Sequence, residues 1–188
     1  MTKYLLLMRH AKSDWNDAGL SDKERPLNAR GRATAPVMAS WLARQNRMPA
    51  LVLCSSAVRT RQTLDIMTQR WTTLQESNPG VDLPKVHIDD SLYLASEFQI
   101  LSSTKKSVSS LRAEVDHCVN CVMVLAHNPG LEILVSQLSN HQNEMPTGAI
   151  AVFESNDDDG EWPNNWGDGK MWKLRELAKP RELDLETI

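Results

Sequence analysis

Short apolar runs alternate along this chain with longer stretches whose apolar residues recur at helical spacing. Leu5-Leu6-Leu7-Met8, Leu51-Val52-Leu53-Cys54 and Cys121-Val122-Met123-Val124-Leu125-Ala126 are unbroken runs of strand length. Such runs suit strands covered on both faces, as in a parallel sheet. Lys85–Ile88 predicts a shorter strand, and Thr147–Phe153 and Lys170–Leu174 predict two more. Between the runs, Asn28 is a cap for a helix with the stripe Val37, Met38, Trp41 and Leu42, which Pro36 kinks or opens. Ser55 and Ser56 are cap candidates for a second helix, with Ala57, Thr60, Leu64, Met67 and Trp71 on one face. Phe98, Ile100, Leu101, Val108, Leu111 and Val115 space a third over residues 96–118, and Leu131, Leu134, Val135 and Leu138 a fourth. This alternation predicts an α/β fold.

Three of the runs end in polar residues able to do chemistry. The first passes directly into Arg9-His10 and the third into His127-Asn128-Pro129-Gly130, which opens a helix. The second leads to Arg59 in the first turn of the following helix. Ligands of open α/β sheets bind beyond the carboxyl ends of strands. A cation in a helix's first turn opposes the macrodipole, and a bound anion offsets that cost. Two arginines and two histidines meeting at such a place describe a phosphoryl site. Guanidinium forks match phosphate oxygens, and histidine serves as a covalent nucleophile. The polar loop 11–25 has the length and composition of a substrate loop.

Composition narrows the classes. The 188 residues, 41% hydrophobic, suit one domain over 1–188, with the charged tail 175–188 as a loose end. A net charge of −3 argues against a nucleic-acid partner. No apolar run has the length of a membrane span or a signal-peptide core, so a soluble cytoplasmic protein is expected. Cys118-Val119-Asn120-Cys121 matches C-x-x-C but precedes a strand rather than opening a helix, so the pair reads as packing cysteines at a turn. The segment 154–169, with Asp157, Asp158 and Asp159, lacks the ligands of a calcium loop in register and reads as a long hairpin connection with its tryptophans folded back. There is no Walker motif and no carboxylate cluster, so neither cofactor nor metal is expected.

Four segments carry a family resemblance. Met8-Arg9-His10-Ala11-Lys12 resembles the R-H-G or R-H-A signature of the histidine phosphatase superfamily. Arg25-Pro26-Leu27-Asn28-Ala29-Arg30-Gly31 resembles the family's R-P-L-x-x-x-G segment, and Ser55–Thr63 its S-x-x-x-R-x-x-x-T helix. His127-Asn128-Pro129-Gly130 resembles the second-histidine motif. The combination is most similar to the small SixA-type phosphohistidine phosphatases.

The resemblance implies a three-layer α/β/α sandwich with a mostly parallel central sheet, phosphoglycerate mutase-like. It implies that His10 attacks phosphorus and carries the phosphoryl group, while Arg9, Arg59 and His127 hold its oxygens. Asn16 and Asn128 would add phosphate contacts. One departure stands out. Many esterase and mutase members carry a glutamate general acid after the third strand, where this chain reads Ser91-Leu92-Tyr93-Leu94-Ala95-Ser96-Glu97. An alkoxide leaves badly without an acid. An imidazole, with a pKa of ~6.5, leaves already protonated. The departure therefore favours a phosphohistidine protein as substrate, with Asp14, Asp22, Asp90 and Glu97 as the candidate acids if one exists. The alternatives are a phosphatase for small phosphoesters or phosphoserine/threonine and, from another class, an inactive phospho-ligand binding module.

Overall fold

The computed structural model describes residues 2–78, 80, 82–114, 119–155 and 161–183. Six strands form one sheet: β1 (Tyr4–Arg9), β2 (Leu51–Ser55), β3 (Lys85–Asp89), β4 (Cys121–Ala126), β5 (Ile150–Ser155) and β6 (Trp172–Ala178). Their spatial order is β3-β2-β4-β1-β5-β6. The first four strands in that order are parallel, and β5 runs antiparallel to both β1 and β6. Four main helices complete the fold: α1 (Ala29–Arg44), α2 (Val58–Ser77), α3 (Glu97–Glu114) and α4 (Gly130–Ser139).

Strand alternation sorts the core into two layers. Leu5, Leu7, Leu53, Val122 and Val124 face α3 and α4, meeting Ile100, Leu131, Leu134 and Val135. Leu6, Met8, Val52, Cys54, Met123 and Leu125 face α1 and α2, meeting Met38, Leu42, Leu64, Met67 and Trp71. The sheet is thus sandwiched between two helix layers. Trp162, Trp166 and Trp172 fold back against the α3/α4 layer, the first two rings stacked 4.8 Å apart.

Several local expectations change. Ser55 and Ser56 do not cap α2, whose N-cap is Ala57. Asn28 does cap α1, accepting from the Gly31 N–H at 2.9 Å. Pro36 lies inside α1, which begins well before it. β5 starts at Ile150, because Gly148 turns inward and donates to the carbonyls of Arg9 and His10 at 3.1 and 3.0 Å. β6 runs on to Ala178, so the tail begins later than its charge suggested. Arg175 is held there by an ion pair with Glu154 on β5. Cys54 and Cys121 are free and buried, and burial pushes both thiols up to about 12. Cys118 and the aspartates at 157–159 lie outside the described residues. Among the described residues, no helix is long and apolar enough to cross a membrane.

Candidate active site

The site follows from strand register. Arg9 on β1 pairs with Ala126 on β4, so the next residue of each strand, His10 and His127, emerges beside the other. Their rings stand 5.1 Å apart. Cys54 on β2 pairs with Leu125 on β4, which brings Ser55 level with Ala126. The Ser55 hydroxyl therefore reaches His127 Nε2 at 2.8 Å.

The backbone around His10 is tied on several sides. Its N–H donates to Ala126 O at 3.2 Å. The Ala11 N–H donates to Thr63 Oγ1 at 3.1 Å, and that hydroxyl donates to Arg59 O at 2.7 Å. Thr63 thus couples the segment after β1 to the turn of α2 that carries Arg59. Two glycines permit close packing here. A Cβ on Gly31 would lie 2.2 Å from Lys12 O, and one on Gly130 would lie 1.9 Å from Ala95 O. Any side chain at either position would push α1 or α4 away from the site.

The partners set the resting tautomer of each ring. His10 Nδ1 lies 2.7 Å from Ala11 O, and a carbonyl can only accept, so Nδ1 carries the proton. Arg59 Nε donates to His10 Nε2 at 3.2 Å, and a guanidinium can only donate, so Nε2 presents its lone pair. His127 is the reverse. Its Nδ1 accepts from Arg59 Nη2 at 3.1 Å, so Nε2 carries the proton toward Ser55. Burial pulls the His10 pKa down to about 4, and the charges of Arg59 and Arg9 add to the shift. Burial, then His10 and Arg59, pull His127 down to about 3. Both rings are neutral near pH 7.

Arg59, 4% exposed, uses two edges of its guanidinium. The Nε/Nη2 edge faces the two histidines. The Nη1/Nη2 end grips Asp22, with Nη2 at 2.9 Å from Oδ2 and Nη1 on the Asp22 carbonyl. Tyr93 also donates to Asp22 Oδ2, at 2.8 Å. Burial raises the Asp22 pKa, but the Tyr93 hydroxyl and Arg59 outweigh it and leave the carboxyl below its ordinary value. Arg9 donates from Nη1 to Met145 O at 2.8 Å. Burial lowers its pKa, and the charge of Glu132 opposes that shift. Glu132 also accepts from Asn128 Nδ2 and from the Met145 N–H, both at 2.9 Å. Asn128 Nδ2 reaches Met145 O as well, at 3.1 Å, which leaves Oδ1 without a partner.

Arg9, His10, Asp22, Arg59, His127 and Asn128 line a cavity of about 320 Å³ whose wall also includes Lys12, Ser13, Trp15, Leu94 and Thr147. Trp15, 64% exposed, and Leu94, 53% exposed, form an apolar rim. The Arg25 guanidinium lies 3.7 Å from the Trp15 ring centroid.

Comparison with known proteins fits this geometry. Residues 5–82 match the model of the histidine phosphatase superfamily, branch 1. An uncharacterized chloroplastic protein of Arabidopsis thaliana is 30% identical over 187 residues, spanning 96% of this chain and 79% of that protein. The chain belongs to the histidine phosphatase superfamily. An uncharacterized protein of Mycobacterium tuberculosis is 32% identical to this phosphatase over 159 residues, covering 78% of the chain and 85% of the relative. In fold, the phosphatase is similar to the protein histidine phosphatase SixA solved with tungstate. The TM-score is 0.66 at 23% identity, over 96% of this chain and 99% of the other.

Arg9, His10, Arg59, His127 and Asn128 of this histidine phosphatase all line one cavity, whereas Asn16 is exposed and outside its lining. The Asn16 N–H instead bonds Asp14 Oδ1, closing a local turn. Of the four acid candidates, Asp22 lines the cavity and Asp14, Asp90 and Glu97 do not. Asp90 binds Lys23 and Ser56. Sequence reasoning gave Ser55 no site role and left out the rim residues Trp15 and Leu94. Period-two alternation across β2 puts Ser55 on the face opposite Cys54 but does not place it beside His127, which the β2–β4 register decides. Among the described residues, no group of three or more His, Cys, Asp or Glu side chains is arranged to hold a metal ion.

Proposed function

We propose that this phosphatase removes the phosphoryl group from protein phosphohistidine through a covalent intermediate on His10, without a metal. The observation that carries the reaction is the His10 Nε2 lone pair, turned toward the Nε/Nη2 edge of Arg59. The lone pair forms the new P–N bond while the bond from phosphorus to the leaving group breaks. The leaving imidazole takes that electron pair and departs neutral, already holding its proton. Arg59, Arg9 and His127 bind the equatorial oxygens, where charge collects in the transition state. Water then attacks the phosphohistidine, His10 recovers its lone pair, and inorganic phosphate leaves.

His127 must turn a donor toward phosphate, and Ser55 allows this without a change of charge. A hydroxyl donates as readily as it accepts. When the phosphoryl group takes over Arg59 Nη2 and the Ser55 O–H rotates to donate to Nε2, the proton of His127 sits on Nδ1 and is offered to a phosphoryl oxygen. The depressed pKa of His10 supplies the nucleophile near pH 7 with no separate base.

The substrate class rests on Asp22, the one carboxylate in the cavity lining among the described residues. Asp22 is ionised and committed to Arg59 and Tyr93, so it is poorly suited to protonate an alkoxide. An exposed rim of Trp15 and Leu94 also suits a protein surface better than an enclosed small metabolite. The test compares phosphate release from a phosphohistidine protein, aryl phosphates and a sugar phosphate, with and without EDTA. Phosphohistidine and aryl substrates are expected to exceed the sugar phosphate by ~10²–10⁴-fold, the usual contribution of a positioned acid. EDTA is expected to leave the rates unchanged. Equal kcat/KM across leaving groups, with chemistry rate-limiting, would make the enzyme a general phosphomonoesterase.

A further inference from the structure

The catalytic cavity is polar at its buried end and apolar at its mouth. His10, Arg59 and His127 are buried, whereas Trp15 and Leu94, on the wall of the same cavity, are mostly exposed. Apolar side chains scattered singly over a surface need no explanation. These two share one small cavity with the nucleophile, and each is held there by a separate part of the chain.

Trp15 is held from behind. The loop between β1 and α1 returns on itself as a two-stranded arm. The Asn28 N–H donates to Lys12 O at 3.0 Å, Ser13 bridges Leu27, and the Asp14 N–H donates to Pro26 O at 2.7 Å. That register continues to Trp15 opposite Arg25, whose guanidinium lies over the indole, 3.7 Å from its centroid. Arg25 is in turn 3.8 Å from the Asp22 carboxylate. A guanidinium thus covers one face of the indole and fixes its plane, and the other face is left to solvent. Leu94 is held by its backbone. Its φ of 50° is left-handed, a conformation that residues with a Cβ rarely adopt. Before it, Tyr93 donates to Asp22, and after it the Ala95 carbonyl packs against Gly130. Leu94 lies between these two anchors and lines the cavity.

We infer that Trp15 and Leu94 form a slot for the leaving group, and that the open face of Trp15 stacks on it when it is a flat ring. Trp15 is then the residue that favours imidazole and aryl leaving groups over alkyl ones of equal acidity. The inference rests on the in-line reaction at His10 proposed above. In that geometry the leaving group lies across phosphorus from Nε2. The nucleophile and the donors to the equatorial oxygens occupy the buried end of the cavity, so the leaving group extends to the mouth. A planar ring there lies on the indole face and gains an aromatic pair, which a saturated group of the same size does not. Neither Trp15 nor Leu94 carries an acidic proton, so the slot reads shape and not basicity. The want of an acid makes the rate depend on leaving-group pKa, and the slot adds a dependence on flatness at fixed pKa.

The test is calorimetric binding of phenylphosphonate and cyclohexylphosphonate to the full chain. Neither has a leaving group, so recognition is read apart from turnover. The wild type is expected to bind the flat ring about three- to tenfold more tightly, the range an aromatic pair supplies beyond its buried area. Trp15→Leu is expected to lose this preference and Trp15→Phe to keep it. In the wild type, phenylphosphonate is also expected to shift the Leu94 methyl resonances by its ring current, a reading that needs no variant. A wild type that binds the cyclohexyl compound equally or more tightly has only a greasy mouth, which overturns the inference. So does a ring preference that survives in Trp15→Leu, or Leu94 methyls that do not respond. A ring preference in an enzyme that releases no phosphate from a phosphohistidine protein upholds the slot and removes the proposed substrate. Phosphohistidine cleavage with no ring preference overturns the slot alone.

Discussion

His10 and His127 leave adjacent parallel strands at the same level, both buried and both bound to Arg59, yet they are set up for opposite tasks. The difference lies in the second partner of each ring. His10 faces the carbonyl of Ala11, which can only accept, so one tautomer is enforced and the lone pair stays on Nε2. His127 faces the hydroxyl of Ser55, which can accept or donate, so its proton can move between the nitrogens without ionisation. In the proposed mechanism the same residue type at equivalent strand ends serves as a fixed nucleophile in one case and an adaptable donor in the other. A single neighbouring polar group makes that choice.

The comparison breaks most sharply when each ring is removed. His10→Ala is expected to lower turnover by on the order of 10⁴-fold or more, since nucleophile and intermediate vanish together. His127→Ala is expected to cost ~10²–10³-fold, the range for one transition-state donor, with phosphoenzyme still forming. Rapid-quench measurement of both turnover and phosphoenzyme checks the pair. Phosphoenzyme in His10→Ala, or none in His127→Ala, would reverse the assignment.

A smaller effect is expected at Ser55. Ser55→Ala removes the group that lets His127 reverse its tautomer, and a lost hydrogen bond of ~1–1.5 kcal/mol corresponds to roughly tenfold in kcat. KM should move little and the thermal midpoint should fall by a few degrees, since the bond is also present in the resting protein; the loss in kcat is what a purely structural role would not produce. The corresponding bond of His10 runs to a backbone carbonyl and cannot be deleted by substitution.

The pH dependence of stability tests the burial common to both rings. Each histidine binds a proton more weakly when folded, at about 4 and about 3, than its unfolded value of ~6.5. Between these values the unfolded chain holds more protons, so stability is full above ~6.5 and falls as pH drops toward 4. At pH 5 the loss is at most ~2 kcal/mol per histidine, readable by urea unfolding at pH 7 and pH 5. His127→Asn is expected to flatten this dependence by about half. An unchanged slope would mean that the ring is hydrated in the folded protein.

The sequence made the strands legible because buried parallel strands are continuous apolar runs, and it made Arg9, His10, Arg59 and His127 legible because each follows such a run or its helix start. Ser55 was hidden because its role depends on the β2–β4 register, which no local pattern encodes. Asp22 was one acidic residue among several in a polar loop, and the folding back of that loop onto Arg59 and Tyr93 singles it out. Arg175–Ala178 looked like a loose tail because edge-strand residues alternate with charge, and the ion pair to Glu154 holds them in the sheet. Asn16 shows the converse. It stands at the family's spacing after His10, but a turn with Asp14 holds its backbone outside the cavity lining.

The central claim is that His10 acts through Nε2, and the position of phosphate on the ring tests it most directly. The enzyme is mixed with a phosphohistidine protein, quenched in alkali, digested and examined by phosphorus NMR. The expected product is a His10 peptide phosphorylated on Nε2, absent from His10→Ala and stable to alkali but not to acid. Phosphate on Nδ1 of His10, or on His127, would contradict the tautomer assignment on which the mechanism rests.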